Sequence, residues 1–137
     1  MKLKSIILVC CLSICTFGFA ANMHLHSPAD HMENKPAKNA LKWPGYCEIE
    51  IVNNSYDDVR VFGVFDDGSS LQPFNVYSYE SPHYISLYYY GYCHSGMDIY
   101  IDTFRGMRIY GGYTQTNSSI RVEPFFGNQL KANVSAR

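Results

Sequence analysis

Between Cys47 and Asp98 the chain has almost no positive charge: Arg60 stands alone against eight acidic residues. Over all 137 residues, 11 lysines and arginines face 12 acids. That balance implies no general affinity for nucleic acid, which needs a basic surface. Catalytic signatures are missing as well. There is no Gly-x-Ser-x-Gly and no His-Glu-x-x-His, so neither a nucleophile elbow nor a zinc-protease helix is indicated. No long stretch has helical periodicity and no segment repeats. No apolar run reaches the roughly 20 residues of a membrane-spanning helix.

The longest apolar run is Ile6–Phe19, preceded by Lys2 and Lys4 and closed by Gly18-Phe19-Ala20. Small residues at the −3 and −1 positions of a cut after Ala20 mark residues 1–20 as a secretory signal peptide. A lipoprotein reading through Cys15 is disfavoured by bulky Ile14 before it. Removal of 20 residues from 137 leaves 117, the size of one domain with a modest core. It also removes two lysines and no acid, so the net charge becomes 9 − 12 = −3. The mature chain has no transmembrane segment, and its expected location is extracellular or periplasmic.

Cysteine is scarce after that cut. Cys10, Cys11 and Cys15 leave with the signal, and Cys47 and Cys93 remain. Two cysteines in an exported chain predict one disulfide. The rival reading is a reactive Cys93 thiol activated by His94. Neighbours on a strand point to opposite faces, which places His94 poorly for that task.

Residues 21–44 are polar, interrupted by proline and without periodicity, and read as a flexible leader. Trp43, the single tryptophan, is expected to dock where the domain begins. From 45 to 137 the signals are those of strands. Cys47, Ile49 and Ile51 alternate with Glu48 and Glu50. Val59–Phe65 follows, with Val59, Val61 and Phe65 inward and both faces covered. Further strands are expected at 71–79, 84–90, 97–103, 108–113, 119–123 and 129–134, with Asp66-Asp67-Gly68-Ser69 as one of the intervening turns. About eight short strands suit an all-β fold, a single antiparallel β-sandwich of immunoglobulin-like or jelly-roll-like type with one disulfide.

Tyrosine is abundant, with 12 in the chain. In 83–90, Ile85, Leu87 and Tyr89 fall on one face and read as core. Tyr84, Ser86, Tyr88 and Tyr90 fall on the other and form the candidate ligand-binding face. A tyrosine offers a flat apolar body and a polar tip at low entropic cost, which suits a carbohydrate or a host-surface protein. Strand propensity alone also accounts for tyrosines on a sheet.

Other constellations are thinner. Residues 99–137 hold five basic and two acidic residues. Arg105 and Arg108 flank a Gly106-Met107 turn and are expected together at a basic loop that could meet anionic lipid headgroups or an acidic partner. Asp57-Asp58 and Asp66-Asp67 invite a calcium reading, but they bracket one strand and lie roughly 25 Å apart at about 3.3 Å per residue. Asx-turn chemistry explains them more simply. His24, His26 and His31, with Met23 and Met32, suit copper, zinc or nickel. A cut after Ala21 would place His24 third from the amino terminus, whereas the preferred cut makes it fourth, so no metal site and no cofactor is assigned. His83 and His94 are candidate general bases with Ser86, Ser95 or Asp98 near in sequence, but a triad is recognised by geometry. Asn53, Asn117 and Asn133 begin N-x-S/T triplets, where no glycans are expected in a bacterial protein.

Signal, polar leader and single-disulfide tyrosine-rich domain together resemble the small proteins that Gram-negative, host-associated bacteria export by the Sec and type II routes. The resemblance carries no functional residue over. The leading expectation is therefore a secreted, non-enzymatic binding protein. Its alternatives are binding of anionic lipid or an acidic partner through Arg105 and Arg108, a small hydrolase using His83 or His94, and a structural envelope protein.

Overall fold

The computed structural model describes residues 22–26 and 46–137. The expected signal peptide, His31, Trp43 and most of the segment read as a polar leader lie outside the described residues. Those described form eleven strands and no helix. They are β1 (Asn22–His24), β2 (Glu48–Asn53), β3 (Val59–Phe65), β4 (Ser70–Val76), β5 (His83–Ser86) and β6 (Tyr88–Tyr89). They continue as β7 (Tyr92–Cys93), β8 (Gly96–Thr103), β9 (Arg108–Gln115), β10 (Ser118–Pro124) and β11 (Leu130–Ala136).

Two main sheets and a small hairpin result. One sheet has the order β1-β5-β2-β10-β11, the other β4-β3-β8-β9, and β6 pairs with β7. The expectation of purely antiparallel pairing holds for the four-stranded sheet and fails for the five-stranded one. There β1 runs parallel to β5, and β2 runs parallel to β10. The leader also contributes more than expected, because Asn22–His24 adds an edge strand along His83–Ile85. The strand expected over 84–90 breaks at Leu87, where the chain leaves β5 and folds into the hairpin.

Alternation explains the core. On β2, Ile49 and Ile51 are fully buried, as are Val59 and Val61 on β3 and Ile99 and Ile101 on β8. With Ile85, Ile120 and Val122 from the five-stranded sheet, they join one apolar cluster drawn from both sheets. Burying such a side chain contributes about 1.5–3 kcal/mol. The outer face of β3 is less covered than expected, since Phe62 is half-buried and Val64 is exposed. Gly63 on β3 is a packing requirement, because a Cβ there would stand 2.3 Å from the Asp98 carbonyl oxygen.

Strand directions sort the turns into two ends. The 54–58, 77–82, 104–107 and 125–129 turns lie at one end, as the registers Val59↔Thr103, Val59↔Val76, Ile51↔His83 and Asn53↔Val122 require. Asn53 ties the two sheets there: its Nδ2 donates to the carbonyl of Val76 at 3.0 Å, and its own carbonyl accepts the Tyr79 amide at 3.0 Å. The 66–69 turn and the β6–β7 hairpin lie at the other end.

The Cys47–Cys93 disulfide is formed, with a Cα separation of 5.7 Å. It joins the residue before β2 to the hairpin strand β7, across 46 positions of sequence. Closing that loop removes about 4 kcal/mol of chain entropy from the unfolded state. Replacing both cysteines by alanine is expected to lower stability by about that amount in a urea titration. An unchanged unfolding midpoint would contradict the role assigned to the bridge.

Candidate functional site

The hairpin end is built around stacked rings. Tyr90 and Gly91 have φ of 53° and 84°, consecutive left-handed residues that close a two-residue hairpin loop with the twist adjacent strands need. Asparagine and glycine usually fill such a loop, because a bulky side chain in this region costs on the order of 1 kcal/mol. Tyr90 is held there by its hydroxyl, which donates to Asp67 Oδ2 at 3.1 Å. Its ring is 68% exposed.

Behind the loop, Tyr89 is buried and sandwiched between two imidazoles. His94 stacks on it at 3.6 Å between centroids and His26 at 4.0 Å. Tyr92 extends the stack over His94 at 4.2 Å. Burial, then the carboxylates of Asp67 and Asp66, push the Tyr89 hydroxyl up to about 12. Asp67 organises the 66–69 turn, accepting from the Ser69 amide at 2.9 Å and lying 2.8 Å from His26 Nε2. Its carboxyl is held well below the usual range, chiefly by the Ser69 hydroxyl and amide. Tyr113 joins from β9, its hydroxyl 3.0 Å from Ser95 Oγ and 3.4 Å from Asp66 Oδ2. Tyr88, Tyr90, Tyr92 and Tyr113 thus expose rings at an end that also carries two carboxylates.

The four residues expected on one tyrosine face do not stay together. Ser86 is buried and its hydroxyl accepts the Tyr88 amide at 3.3 Å. Tyr84 is half-buried, with its hydroxyl 3.4 Å from Glu50 Oε1 and the Arg137 guanidinium 5.5 Å from its ring. Burial, and after it Glu50, raises the Tyr84 pKa. The break at Leu87 leaves Tyr88 and Tyr90 with the hairpin instead. Tyr92 and Tyr113 are additions that strand alternation in 83–90 could not supply.

The two arginines separate as well. Arg105 is exposed on its turn. Arg108 is drawn back over the sheet, where Nε donates to Asp102 Oδ1 and NH2 to Oδ2. This hydrogen bonding raises the Arg108 pKa. Its guanidinium covers the rings of Phe62 and Tyr100, at 5.2 and 4.9 Å.

Neither candidate base meets a serine. His94 Nε2 is buried without a hydrogen-bond partner, and Ser95 faces Tyr113. His83 Nδ1 lies 2.8 Å from His24 Nε2, and His83 Nε2 lies 3.3 Å from Glu80 Oε2. His24 in turn stacks on Phe74 at 3.4 Å. The leader histidines are therefore split, His24 toward one end and His26 toward the other. Among the described residues no three His, Cys, Asp or Glu side chains converge as metal ligands, and none of the described helices, there being none, could cross a membrane.

No protein-family model and no curated protein matches the chain. Among solved structures, the NMR structure of a protein from Eubacterium rectale is similar at a TM-score of 0.47 and 15% identity. That likeness covers 72% of this chain and 97% of the other. It is too distant to bear on function.

The His24 contact has a consequence for pH. Desolvation, then the neighbouring His83, lowers the His24 pKa from 6.5 to about 4. The docked imidazole is thus kept neutral, while a released one would protonate near 6.5. The stabilisation of docked β1 is complete above pH 6.5 and is lost as pH falls from there toward 4. In an NMR titration the His24 ring is expected to stay neutral to about pH 4. A midpoint near 6.5 would contradict its docking against Phe74 and His83.

Proposed function

We propose that the protein is an exported, non-enzymatic binding protein whose two sheets stack as a single sandwich and whose hairpin end recognises a carbohydrate or host-surface component. The observation that carries this reading is the placement of Tyr90. A tyrosine occupies a left-handed turn position where asparagine or glycine fits without strain, and its ring faces solvent. Strain kept beside an exposed recognition-type side chain is a mark of function. Sugar rings stack their C–H faces on aromatic rings, and their hydroxyls donate to carboxylates. Tyr88, Tyr90 and Tyr92 supply the rings and exposed Asp66 supplies an acceptor, while Asp67, bonded to Ser69 and the Tyr90 hydroxyl, holds the turn. The formed disulfide suits an oxidising, extracytoplasmic location.

Tyr90→Asn separates binding from structure. It removes the ring and relieves the left-handed strain, so the melting temperature is expected to hold within about 5 °C. Combined with Tyr88→Ala it is expected to abolish retention on a glycan array or on host cells. Retention equal to wild type would refute the hairpin as the recognition surface. A large fall in melting temperature, with no binding by wild type, would mark the tyrosines as structural.

A further inference from the structure

The two main sheets have four edge strands, and these are unequally protected. β1 and β11 border one sheet, β4 and β9 the other. An open edge offers amides and carbonyls to any further strand, so folds blunt theirs with short strands, proline, bulges or charge. β1 is three residues long. β4 has Pro73 at its centre and a register shift in its pairing with β3. β11 holds exposed Lys131 and is followed by Arg137. β9 has eight residues. Its first, Arg108, is tied to Asp102, and its register shift lies before Tyr110. From Tyr110 to Gln115 it carries neither charge nor proline.

The ladder with β8 fixes where the free backbone groups of β9 point. The Thr116 amide donates to the Ser95 carbonyl at 2.8 Å. Pairing then continues unshifted from Gly96↔Gln115 to Ile101↔Tyr110. Hydrogen-bonded and non-hydrogen-bonded pairs alternate along an antiparallel ladder. Tyr110, Gly112 and Thr114 therefore bond to β8, and the amides and carbonyls of Gly111, Tyr113 and Gln115 point to the open edge. All three residues are exposed. β11 lies beside β9 but in the other sheet, and makes no backbone hydrogen bond to it. Side chains alternate to match. Tyr110, Gly112 and Thr114 stand opposite buried Ile101, Ile99 and Met97, so they face inward, and Gly111 and Tyr113 face outward.

This arrangement makes β9 complementary to itself. Across a two-fold axis perpendicular to the sheet the inner faces stay on one side, so an inward residue must meet an inward residue. Antiparallel pairing centred on Gly112 satisfies that rule. Gly112 meets its own copy, Tyr110 meets the partner's Thr114, and Tyr113 meets the partner's Gly111. The edge-facing groups of Gly111 and Tyr113 then bond each other. Each Tyr113 ring gains a glycine to cover, and no like charges come together.

We infer that β9 pairs with β9 of a second copy, joining the two four-stranded sheets into one across a two-fold axis at Gly112. The interface is of the small kind, so association follows concentration. The dimer does not depend on what the hairpin end binds. Tyr113 reaches toward Asp66 at that end, and antiparallel pairing points the two hairpin ends in opposite directions.

Sedimentation equilibrium up to millimolar concentration tests this on residues 21–137, which include every described residue. Wild type is expected to pass from monomer to dimer as concentration rises. Gly112→Lys sets two ammonium groups face to face and is expected to weaken dimerisation at least about tenfold. Gly112→Ala is expected to leave it unchanged. A Cβ at Gly112 meets nothing within 4 Å, so both variants are expected to fold, with melting temperature as the control. Should Gly112→Lys fail to fold, Gly112→Cys decides. Cys47 and Cys93 are already bridged, which leaves the introduced thiol free. Opposed residues of a non-hydrogen-bonded pair lie about 4.5 Å apart at Cα, within disulfide reach. Mild oxidation is expected to give a covalent dimer, while Ser70→Cys on the β4 edge stays monomeric. Wild type that remains a monomer at millimolar concentration overturns the inference. So does a dimer that folded Gly112→Lys leaves intact, or a Gly112→Cys chain that cross-links no faster than Ser70→Cys.

Discussion

A single apolar core shared by two sheets is the constraint on which the rest depends. Ile49, Ile51, Ile85, Ile120 and Val122 from one sheet and Val59, Val61, Ile99 and Ile101 from the other are all fully buried in it. Each contributes about 1.5–3 kcal/mol on burial. The strained tyrosines at positions 79 and 90 cost on the order of 1 kcal/mol each. The core fixes the strands that carry such turn residues, and a one-residue slip of any inner strand would expose its whole apolar set. With register fixed, strand direction alone sends four turns to one end and the hairpin to the other.

The two ends have different compositions, and the leader histidines are divided between them. The hairpin end combines exposed tyrosine rings with Asp66 and Asp67, the end proposed above to meet a hydroxyl-rich ligand. The opposite end combines exposed Phe104, Phe125 and Phe126 with exposed Arg105 and Lys131. The segment 22–26, β1 and the two residues after it, runs from one toward the other, with His24 against Phe74 and His83 and His26 beside Asp67 and Tyr89. Acid that releases β1 would thus disturb both ends through one element. Charge segregation along the chain is partly cancelled in space: Arg137, just past β11 in the basic part of the sequence, pairs at 3.0 Å with Glu48 of β2, two strands away in the same sheet.

Much of the fold was legible because alternation is a local signal. Cys47, Ile49 and Ile51, Val59, Val61 and Phe65, and Ile85, Leu87 and Tyr89 all fall in the core as their spacing predicts. The disulfide followed from counting cysteines outside the expected signal. The parallel pairs β1–β5 and β2–β10 were not legible, since partner choice depends on contacts between segments distant in sequence. The edge strand at Asn22–His24 was hidden because its support is not apolar alternation but two imidazoles stacking on Phe74 and Tyr89. The tyrosine face failed at Leu87 for a related reason. Alternation assumes an unbroken strand, and the Tyr90-Gly91 turn breaks it. Arg108 left its loop because Asp102 lies opposite it in the β8–β9 register.

The most direct test of the proposed recognition surface is amide chemical-shift mapping by NMR on the isotope-labelled protein, with oligosaccharides added. The account predicts that a bound sugar perturbs 88–93 and leaves the 54–58, 77–82, 104–107 and 125–129 turns unmoved. Shifts centred on those four turns, with the hairpin unmoved, would contradict it.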